Sequence, residues 1–511
     1  MKVAEYDVVI AGAGPTGLAL AGELALKNLK VLVLERRSHR SEESRALGMH
    51  GRTLDLLAQR GLAETFMKLG HPVPKVRLRF EQRKQSLLNL AELDTDFGHL
   101  LILPQSETER ILEEHALELG VHVRREAGVK SLDQDSNGVT VHFGGKDPGS
   151  VRASWVVGCD GSKSNVREAI GAKFNGRPYP YTILVADVLL KNPPKDDLLI
   201  EVAKLGLVVC TAFGNGYYRL GIIDRTVPWS DDPVTMTEIS KALINIFGSD
   251  LGPHEPIWTS RFIIQEKQAT SYREGRVLLA GDAAHVHSPL GGQGLNLGVQ
   301  DAFNLGWKLA AVHAGDSDAS LLDSYAAERR RRSRAVITVT DVVTRLMMAG
   351  HRMPQKMRKT VVPLILSTAR GRGIAAGALS GVTLRYPPTH RRLRNRDEGR
   401  RVPNLNLRGT NGDVRLFDLM HDGRFVLVDD GSIGSRAEPW ADRLCLWQGQ
   451  VEGHPEFKAP LLVRPDGYLA GSGASEVLAG LKRWCGHPGA AGGSARHADT
   501  SAPQLKGSEQ A

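Results

Sequence analysis

The chain has 511 residues, a formal net charge of +9 and 41% hydrophobic residues, enough for two or three domains with the composition of an ordinary globular protein rather than a fibrous or disordered one. No apolar run approaches the ~18 residues needed to span a bilayer, and the N-terminus leads into a β-branched run rather than a signal peptide. Four cysteines, Cys159, Cys210, Cys445 and Cys485, form no CxxC pair; their spacing suits neither zinc nor a disulfide framework, so dithiol redox chemistry is excluded and a reducing cytoplasm is the expected home.

Tyr6 to Ala11 (YDVVIA) has the character of a buried parallel strand. Gly12, Gly14 and Gly17 follow at once. In a dinucleotide-binding turn the first such glycine permits the tight bend, the second lets the backbone approach a pyrophosphate, and the third lets helix and strand pack closely. Leu18 to Asn28 reads as a helix whose N-terminus would present free N–H groups to phosphates. Lys30 to Leu34 is a second strand ending in Glu35. That carboxylate stands ~20 residues past the glycines, where it accepts ribose hydroxyls. It would repel a 2′-phosphate, so the unit should hold FAD or NAD rather than NADP.

Arg52 to Leu69 suggests a helix pair, Val76 to Leu103 suggests strands, and Thr108 to Leu119 has helical periodicity. Val121 to Val123 and Gly138 to Phe143 return to strand character around the turn at Asp135–Gly138. Trp155 to Val157 is a strand that delivers Cys159-Asp160-Gly161 to a turn, with a helix expected over Ser162 to Ile170. By itself an Asp-Gly turn is common; at a strand's carboxyl end it stands where α/β sheets bind ligands.

Tyr181 to about Ile264 contains several β-rich runs, including Ile183–Leu190, Leu207–Phe213 and Tyr217–Ile223, and should form a second sheet. Val277 to Ala280 is another strand, followed by Gly281-Asp282. Downstream, Pro289, Gly291, Gly292 and Gly294 lead into a helix over Leu295 to Val312, with Val299, Ala302, Phe303, Gly306, Leu309 and Ala310 on one face. Asp282 is placed to accept ribityl hydroxyls, and the glycines free the backbone to meet a flat ring. A helix N-terminus there would stabilise an anionic reduced flavin. His285 and His287 lack a partner cluster and read as structural rather than metal ligands.

Two basic clusters, Arg329–Arg334 and Arg391–Arg401, carry much of the positive excess. Without stacking aromatics they read as a solvated helix face and a basic linker, with no nucleic-acid or membrane partner implied; a modest attraction for nicotinamide-nucleotide phosphates is the remaining use. Beyond the linker, Arg415–Leu419, Phe425–Asp429 and Pro460–Val463, with a hairpin turn at Pro465–Gly467, suggest a small α/β domain. The Gly-, Ala- and Ser-rich tail from about Gly486 to Ala511 reads as disordered.

The strings VVIAGAGPTGLALAGEL, SRALGMHGRTLDLLAQRGL, ILPQSETERILEEHA, VVGCDGSKSNVRE and GRVLLAGDAAHVHSPLGGQGLNLGVQDAFNLGWKLA together resemble the single-component FAD-dependent aromatic hydroxylases. The likeness covers roughly residues 5 to 400 and is nearest to bacterial enzymes that tailor polyketides and antibiotics. It implies tightly held, non-covalent FAD, NADPH or NADH as a transient co-substrate, and O2. The expected reaction is hydroxylation of a phenolic, polycyclic substrate through a C4a-hydroperoxyflavin, with no protein nucleophile or general base.

Carried over by that resemblance, the FAD contacts are Gly12, Gly14, Pro15, Thr16, Gly17, Glu35, Arg36, Arg45, Gln105, the backbone near Val129, Asp160, Gly281, Asp282, Pro289, Gly294, Leu295 and Asn296. Thr16, Glu35 and Arg36 would hold the ADP half, Arg45 and Gln105 the phosphate–ribityl region, and Pro289, Gly294, Leu295 and Asn296 the ring. The implied fold is α/β: a Rossmann-like FAD-binding domain (1–75, 104–180, 265–400), an inserted β-sheet substrate domain (76–103, 181–264) and a thioredoxin-like domain without CxxC (401–485). A monomer or homodimer acting on a small aromatic molecule is expected. A Baeyer–Villiger oxygenase on the same scaffold, or a protein that binds FAD or a reactive intermediate without turnover, remains the alternative; a halogenase is disfavoured because no WxWxIP string occurs.

Overall fold

The computed structural model describes residues 5–40, 46–81, 84–227, 229–348, 360–386, 397–410 and 412–489. The chain forms two compact units: Met1–Ala58 with Leu62–His313 and Leu322–Leu384, and Gln59–Gly61 with Ala314–Leu321 and Arg385–Ala511. Most of the expected basic linker and nearly all of the expected disordered tail fall outside the described residues.

The first unit is built on two eight-stranded sheets. In one, the strands run in the order Val277–Leu279, Gly149–Gly158, Tyr6–Ala11, Val31–Leu34, His122–Arg124, each parallel to its neighbour. Val8, Val9 and Ile10 are wholly buried, as a strand covered on both faces requires. The strands Ala127–Gln134 and Val139–Gly145 extend this sheet antiparallel, around the expected turn.

The first helix runs Pro15–Ala25, with proline in its opening turn, and is buried from Gly17 to Ala25. It begins three residues earlier than the leucine-rich run suggested, because proline's fixed φ suits a helix start. The helix Gln293–His313 packs on it so closely that a Cβ on Gly298 would lie 2.1 Å from Thr16 Oγ1, and one on Gly306 would lie 2.6 Å from Glu23 Cβ. Glycine weakens a helix by about 1 kcal/mol relative to alanine, which this approach offsets.

Three expectations are corrected here. The helix Gln293–His313 is buried all round from Asn296 to Ala310, not along one face; its charges are paired internally, Lys308 Nζ donating to Glu328 at 2.8 Å. Arg329 is not part of a solvated helix face. It is 1% exposed on the helix Leu321–Met348, while Arg330, Arg331 and Arg334 do face outward. The helix after Asp160-Gly161 shrinks to Asn165–Ala169, because Gly161 sits at φ +83° and the Ser164 hydroxyl caps the Arg167 N–H at 2.9 Å.

The second sheet is ordered His285–Val286, Pro253–Ala269, Phe174–Leu190, Tyr217–Asp224, Gly206–Ala212, Leu198–Val202, Lys75–Phe80, Lys84–Asn89. Two 17-residue strands, Phe174–Leu190 and Pro253–Ala269, form its spine and extend it past the expected limits. Leu100–Ile102, grouped with this sheet from the sequence, instead pairs with Gly48–Met49 and His71–Val73. One face of the second sheet is closed by the helix Met236–Phe247, through Ile239, Ala242, Leu243 and Ile246. Ile183, Val185, Leu207 and Ile223 point the other way, toward Leu290, Met348, Leu366 and Ala376.

The second unit holds a six-stranded mixed sheet. Its parallel pair Phe425–Asp429 and Leu444–Glu452, the hairpin Leu461–Val463 to Leu469–Ser472 and the closing helix Ala474–Trp484 follow the expected thioredoxin-like order. At the hairpin turn Arg464 and Asp466, both about 2% exposed, pair through two contacts of 2.9 and 2.6 Å. Among the described residues no helix is long and apolar enough to cross a membrane.

Candidate functional site

The register of the parallel sheet assembles the site. Ala11 lies opposite both Gly158 and Leu34, and Gly158 lies opposite Leu279. The four strands therefore end level. Gly12, Cys159-Asp160, Ala280-Gly281 and Glu35 leave the sheet side by side along one edge, joined by Gly12 N–H to Leu34 O at 2.8 Å, Cys159 N–H to Ala11 O at 2.8 Å and Ala280 N–H to Gly158 O at 3.0 Å. Carboxyl ends of parallel strands are where open α/β sheets bind ligands.

The glycines on this edge divide into two kinds. Gly12 sits at φ +102°, and a Cβ there would lie 2.5 Å from Cys159 O; a Cβ on Gly17 would lie 2.0 Å from Gly12 O. The fold itself demands those two. A Cβ on Gly14, Gly161 or Gly294 would meet nothing within 4 Å, and Gly14 has an ordinary φ of −81°. Neither packing nor φ explains Gly14 or Gly294; open space beside a helix start is what a phosphate or a flat ring needs.

Glu35 is 4% exposed. Its Oε2 accepts from Ala13 N–H at 2.8 Å, and its Oε1 accepts from Arg37 N–H at 3.0 Å and Arg37 Nε at 3.1 Å. Burial would raise its carboxyl, but those N–H groups and the Arg37 guanidinium outweigh it and hold the group ionised below its ordinary range. Glu35 thus shapes the glycine loop, and Oε2 retains accepting capacity. Arg36 is exposed beside Gly128, and Val129 O accepts from Asn165 at 2.7 Å. Pro15 and Thr16 open the first helix, where Thr16 Oγ1 also lies against Gly281 and Gly298.

Asp160 is half-buried; burial raises its carboxyl despite bonds from the Ser164 hydroxyl and Val166 N–H. Gln105 opens the helix Gln105–Glu118, accepts from Ala46 N–H at 3.2 Å and donates to Glu109 at 2.8 Å. Arg45 lies outside the described residues. Asp282 is exposed at its turn, and Pro289, Gly294 and Leu295 are half-buried at the start of Gln293–His313.

Asn296, expected along the ring, stands in the first turns of the same helix. It is fully buried. Its Oδ1 accepts from His50 N–H at 2.9 Å and Thr53 Oγ1 at 2.7 Å, and its Nδ2 donates to Gly48 O at 2.9 Å and Gly292 O at 2.8 Å. Its side chain braces the glycine loop from behind. His50, not anticipated, joins it by donating from Nε2 to Gly291 O at 2.8 Å. Burial keeps this imidazole neutral and pushes it down to about 4.

Two further residues escaped sequence reasoning. Asp301, wholly buried, accepts from Gly281 N–H at 3.0 Å, His285 Nε2 at 2.7 Å and Arg329 Nε at 2.5 Å. Arg329 was hidden in a run of arginines whose members cannot be told apart without a partner. His285 is thereby structural, and among the described residues no His, Cys, Asp and Glu cluster could hold a metal. An open cleft of about 440 Å³ lined by Thr270, Ser271, Tyr272, Arg330, Arg331 and Arg334 contains none of the strand-end turns at Gly12, Asp160 and Gly281; the strand ends, not that cleft, mark the site.

On the face of the second sheet that packs toward Leu290, Met348, Leu366 and Ala376, the side chains of Tyr181, Phe213, Trp258 and Phe262 are partly buried. Arg219, buried on the same sheet, is neutralised by Asp187 at 2.7 and 2.6 Å. This face is mostly apolar and aromatic, with the paired Arg219 guanidinium set over the Phe213 and Trp258 rings.

Comparison with known proteins agrees with this geometry. Residues 5–340 match the model of an FAD binding domain, and residues 395–488 match that of the aromatic-ring hydroxylase carboxyl-terminal domain. The chain is 38% identical over 509 residues to a 12-dehydrotetracycline 5-monooxygenase/anhydrotetracycline 6-monooxygenase of Streptomyces rimosus, covering 94% of this chain and 99% of the relative. It is 38% identical over 492 residues to a rifampicin monooxygenase of Streptomyces venezuelae, with the same coverage. Among solved structures, the anhydrotetracycline hydroxylase OxyS of Streptomyces rimosus superposes with a TM-score of 0.82 at 37% identity, covering 94% of this chain and 99% of that one.

Proposed function

From the premise that this chain belongs to the FAD-dependent aromatic hydroxylases, we propose that it hydroxylates a phenolic, polycyclic, polyketide-like substrate. It is an FAD-dependent monooxygenase that uses NAD(P)H and O2. Bound FAD supplies hydride acceptance and oxygen activation; the protein's residues bind, orient and exclude water.

The observation that carries the assignment of the FAD site is the level ending of four parallel strands, with Gly14 and Gly294 open where no packing requires glycine. Gly12, Gly14, Pro15, Thr16 and Gly17 take the pyrophosphate at the start of the first helix. Glu35, Arg36 and the backbone near Val129 take the adenosine. Gln105 and Arg45 serve the phosphate–ribityl region, Asp282 the ribityl chain, Asp160 both FAD and the nicotinamide nucleotide, and Pro289, Gly294, Leu295 and Asn296 the ring. The free N–H groups at the start of Gln293–His313 stabilise negative charge on the reduced ring.

The discontinuous segments 1–75, 104–180 and 265–400 serve as the FAD-binding domain, 76–103 and 181–264 as the substrate domain, and 401–485 as the appended domain. The substrate lies on the aromatic face of the second sheet. Such a face suits a flat hydrophobic molecule and would exclude water from the reacting region. The enzyme acts in the cytoplasm as a monomer or homodimer, with neither nucleic acid nor membrane as partner; its four cysteines, all free thiols, support that placement.

The test is turnover of the FAD-loaded protein with NADPH or NADH, ¹⁸O2 and a panel of hydroxylated polycyclic aromatics. The expected result is substrate-stimulated NAD(P)H oxidation and a phenolic product carrying one ¹⁸O. A product with ¹⁸O inserted as an ester would instead make the protein a Baeyer–Villiger oxygenase. Bound FAD with no NAD(P)H consumption for any aromatic would make it a binding protein.

A further inference from the structure

Two segments of the proposed FAD site stand side by side in the fold: the turn Gly281–Asp282, and the start of the helix Gln293–His313, whose Gly298 packs against Gly281. One buried ion pair touches both. Asp301 accepts the N–H of Gly281, next to Asp282, at 3.0 Å. Arg329 donates through Nε to Asp301 at 2.5 Å and through Nη2 to Leu297 O at 3.1 Å, one turn into the helix. Both side chains are at most 1% exposed. His285 adds a third donor to Asp301 and holds the segment just after Asp282. Tyr325, on the same helix as Arg329, donates to Leu279 O at 2.7 Å and so fastens the strand that carries the turn.

We propose that Asp301 and Arg329 are positioning residues that hold the ribityl-side turn and the ring-side helix start at a fixed spacing, and whose balanced charges set the field at the flavin. The inference rests on the FAD site as assigned above. A buried ion pair is a weak device for stability alone, since apolar residues of similar volume often serve as well. Its value here lies in directional bonds, because a fixed Gly281 N–H and Leu297 carbonyl determine where Asp282 and the helix N-terminus stand. Low surrounding polarity also lets an unbalanced charge act on the flavin with little screening.

The charge argument predicts opposite signs. Asp301→Asn leaves the Arg329 cation unbalanced, which favours the anionic reduced flavin and raises the reduction potential. Arg329→Met leaves the Asp301 anion unbalanced and lowers it. The neutral double variant Asp301→Asn/Arg329→Met returns toward the wild-type potential, while Arg329→Lys keeps the potential but loses the second bond.

The experiment is a dye-coupled measurement of flavin reduction potential on the FAD-loaded wild type and these four variants, with FAD titration of the apoproteins by flavin fluorescence. The expected result is opposite potential shifts in the two charge-changing singles, restoration in the double, and FAD affinity weakened roughly tenfold in each single. Shifts of the same sign, or none with unchanged FAD affinity, overturn the inference. If only one single variant folds, the sign of its shift decides. A wild type that takes up no FAD would instead defeat the FAD assignment itself, a result visible before any variant is compared.

Discussion

The edge of the parallel sheet and the aromatic face of the second, mixed sheet both line the proposed site, yet they are made on opposite plans. The parallel edge is rigid and saturated: Glu35, Asn296 and Asp301 each accept at least two hydrogen bonds from within the chain, and Gly12 and Gly17 stand where any Cβ would collide with backbone. The second sheet offers apolar area with few directional groups, Tyr181, Phe213, Trp258 and Phe262. A ligand that never changes can be met with fixed donors. A substrate that differs from enzyme to enzyme is met with shape, which side-chain replacement alters without disturbing the fold.

The sharpest way to break this contrast is at the two kinds of glycine. Gly12→Ala should destabilise the apoprotein by ~3 kcal/mol and abolish FAD uptake, because φ +102° and the Cys159 carbonyl both oppose it. Thermal unfolding with and without FAD reads both effects. Apoprotein stability unchanged by Gly12→Ala would remove the distinction.

Next in size is the pH response of His50. Its pKa is near 6.5 when unfolded and about 4 in the fold. Between those values the unfolded chain binds the proton and the folded one does not. The stabilisation is therefore complete above pH 6.5 and is lost as pH falls toward 4, by roughly 3 kcal/mol. Denaturant unfolding of wild type and His50→Gln across pH 4 to 7 should show this slope in the wild type and a flatter one in the variant.

Gly14→Ala is the counterpart of Gly12→Ala. With φ −81° and open space, the apoprotein should be unharmed, or gain up to ~1 kcal/mol from reduced unfolded-state freedom. Its FAD dissociation constant should nonetheless rise at least roughly tenfold, a loss of ~1.4 kcal/mol. Loss of stability without loss of affinity would mean that the fold, not the ligand, requires this glycine.

The smallest effect belongs to the second sheet. Phe262→Ala should raise KM for a polycyclic substrate several-fold, about 1 kcal/mol, and leave the FAD dissociation constant unchanged. Steady-state kinetics and flavin titration on one preparation separate the two. A matched fall in FAD affinity would show that the two surfaces are not independent.

What could be read ahead of the structure follows from the same contrast. Gly12, Gly14, Gly17, Glu35, Asp160 and Asp282 were legible because each follows a recognisable strand within a few residues, and local φ demands and short spacings leave marks in a linear sequence. Asn296 was singled out, but not the bracing done by its side chain, since nothing local reveals the four bonds that it makes to residues of its own chain. Arg329 and Arg330 are neighbours of the same type, yet one is a core ion pair and the other faces outward. The helix Gln293–His313 appeared one-sided because its buried charges looked like a solvent face until their partners on Leu321–Met348 were known.

The sequence by itself determined the α/β class, the turns at the strand ends and the absence of a CxxC centre, because those depend on residue type and short spacing. Only the tertiary structure decided that four strands end level, that Asp301 meets Arg329, and that Tyr181, Phe213, Trp258 and Phe262 gather on one face of the second sheet. Those outcomes depend on contacts between residues far apart in the chain, whose energies exist only once the backbone has brought them together.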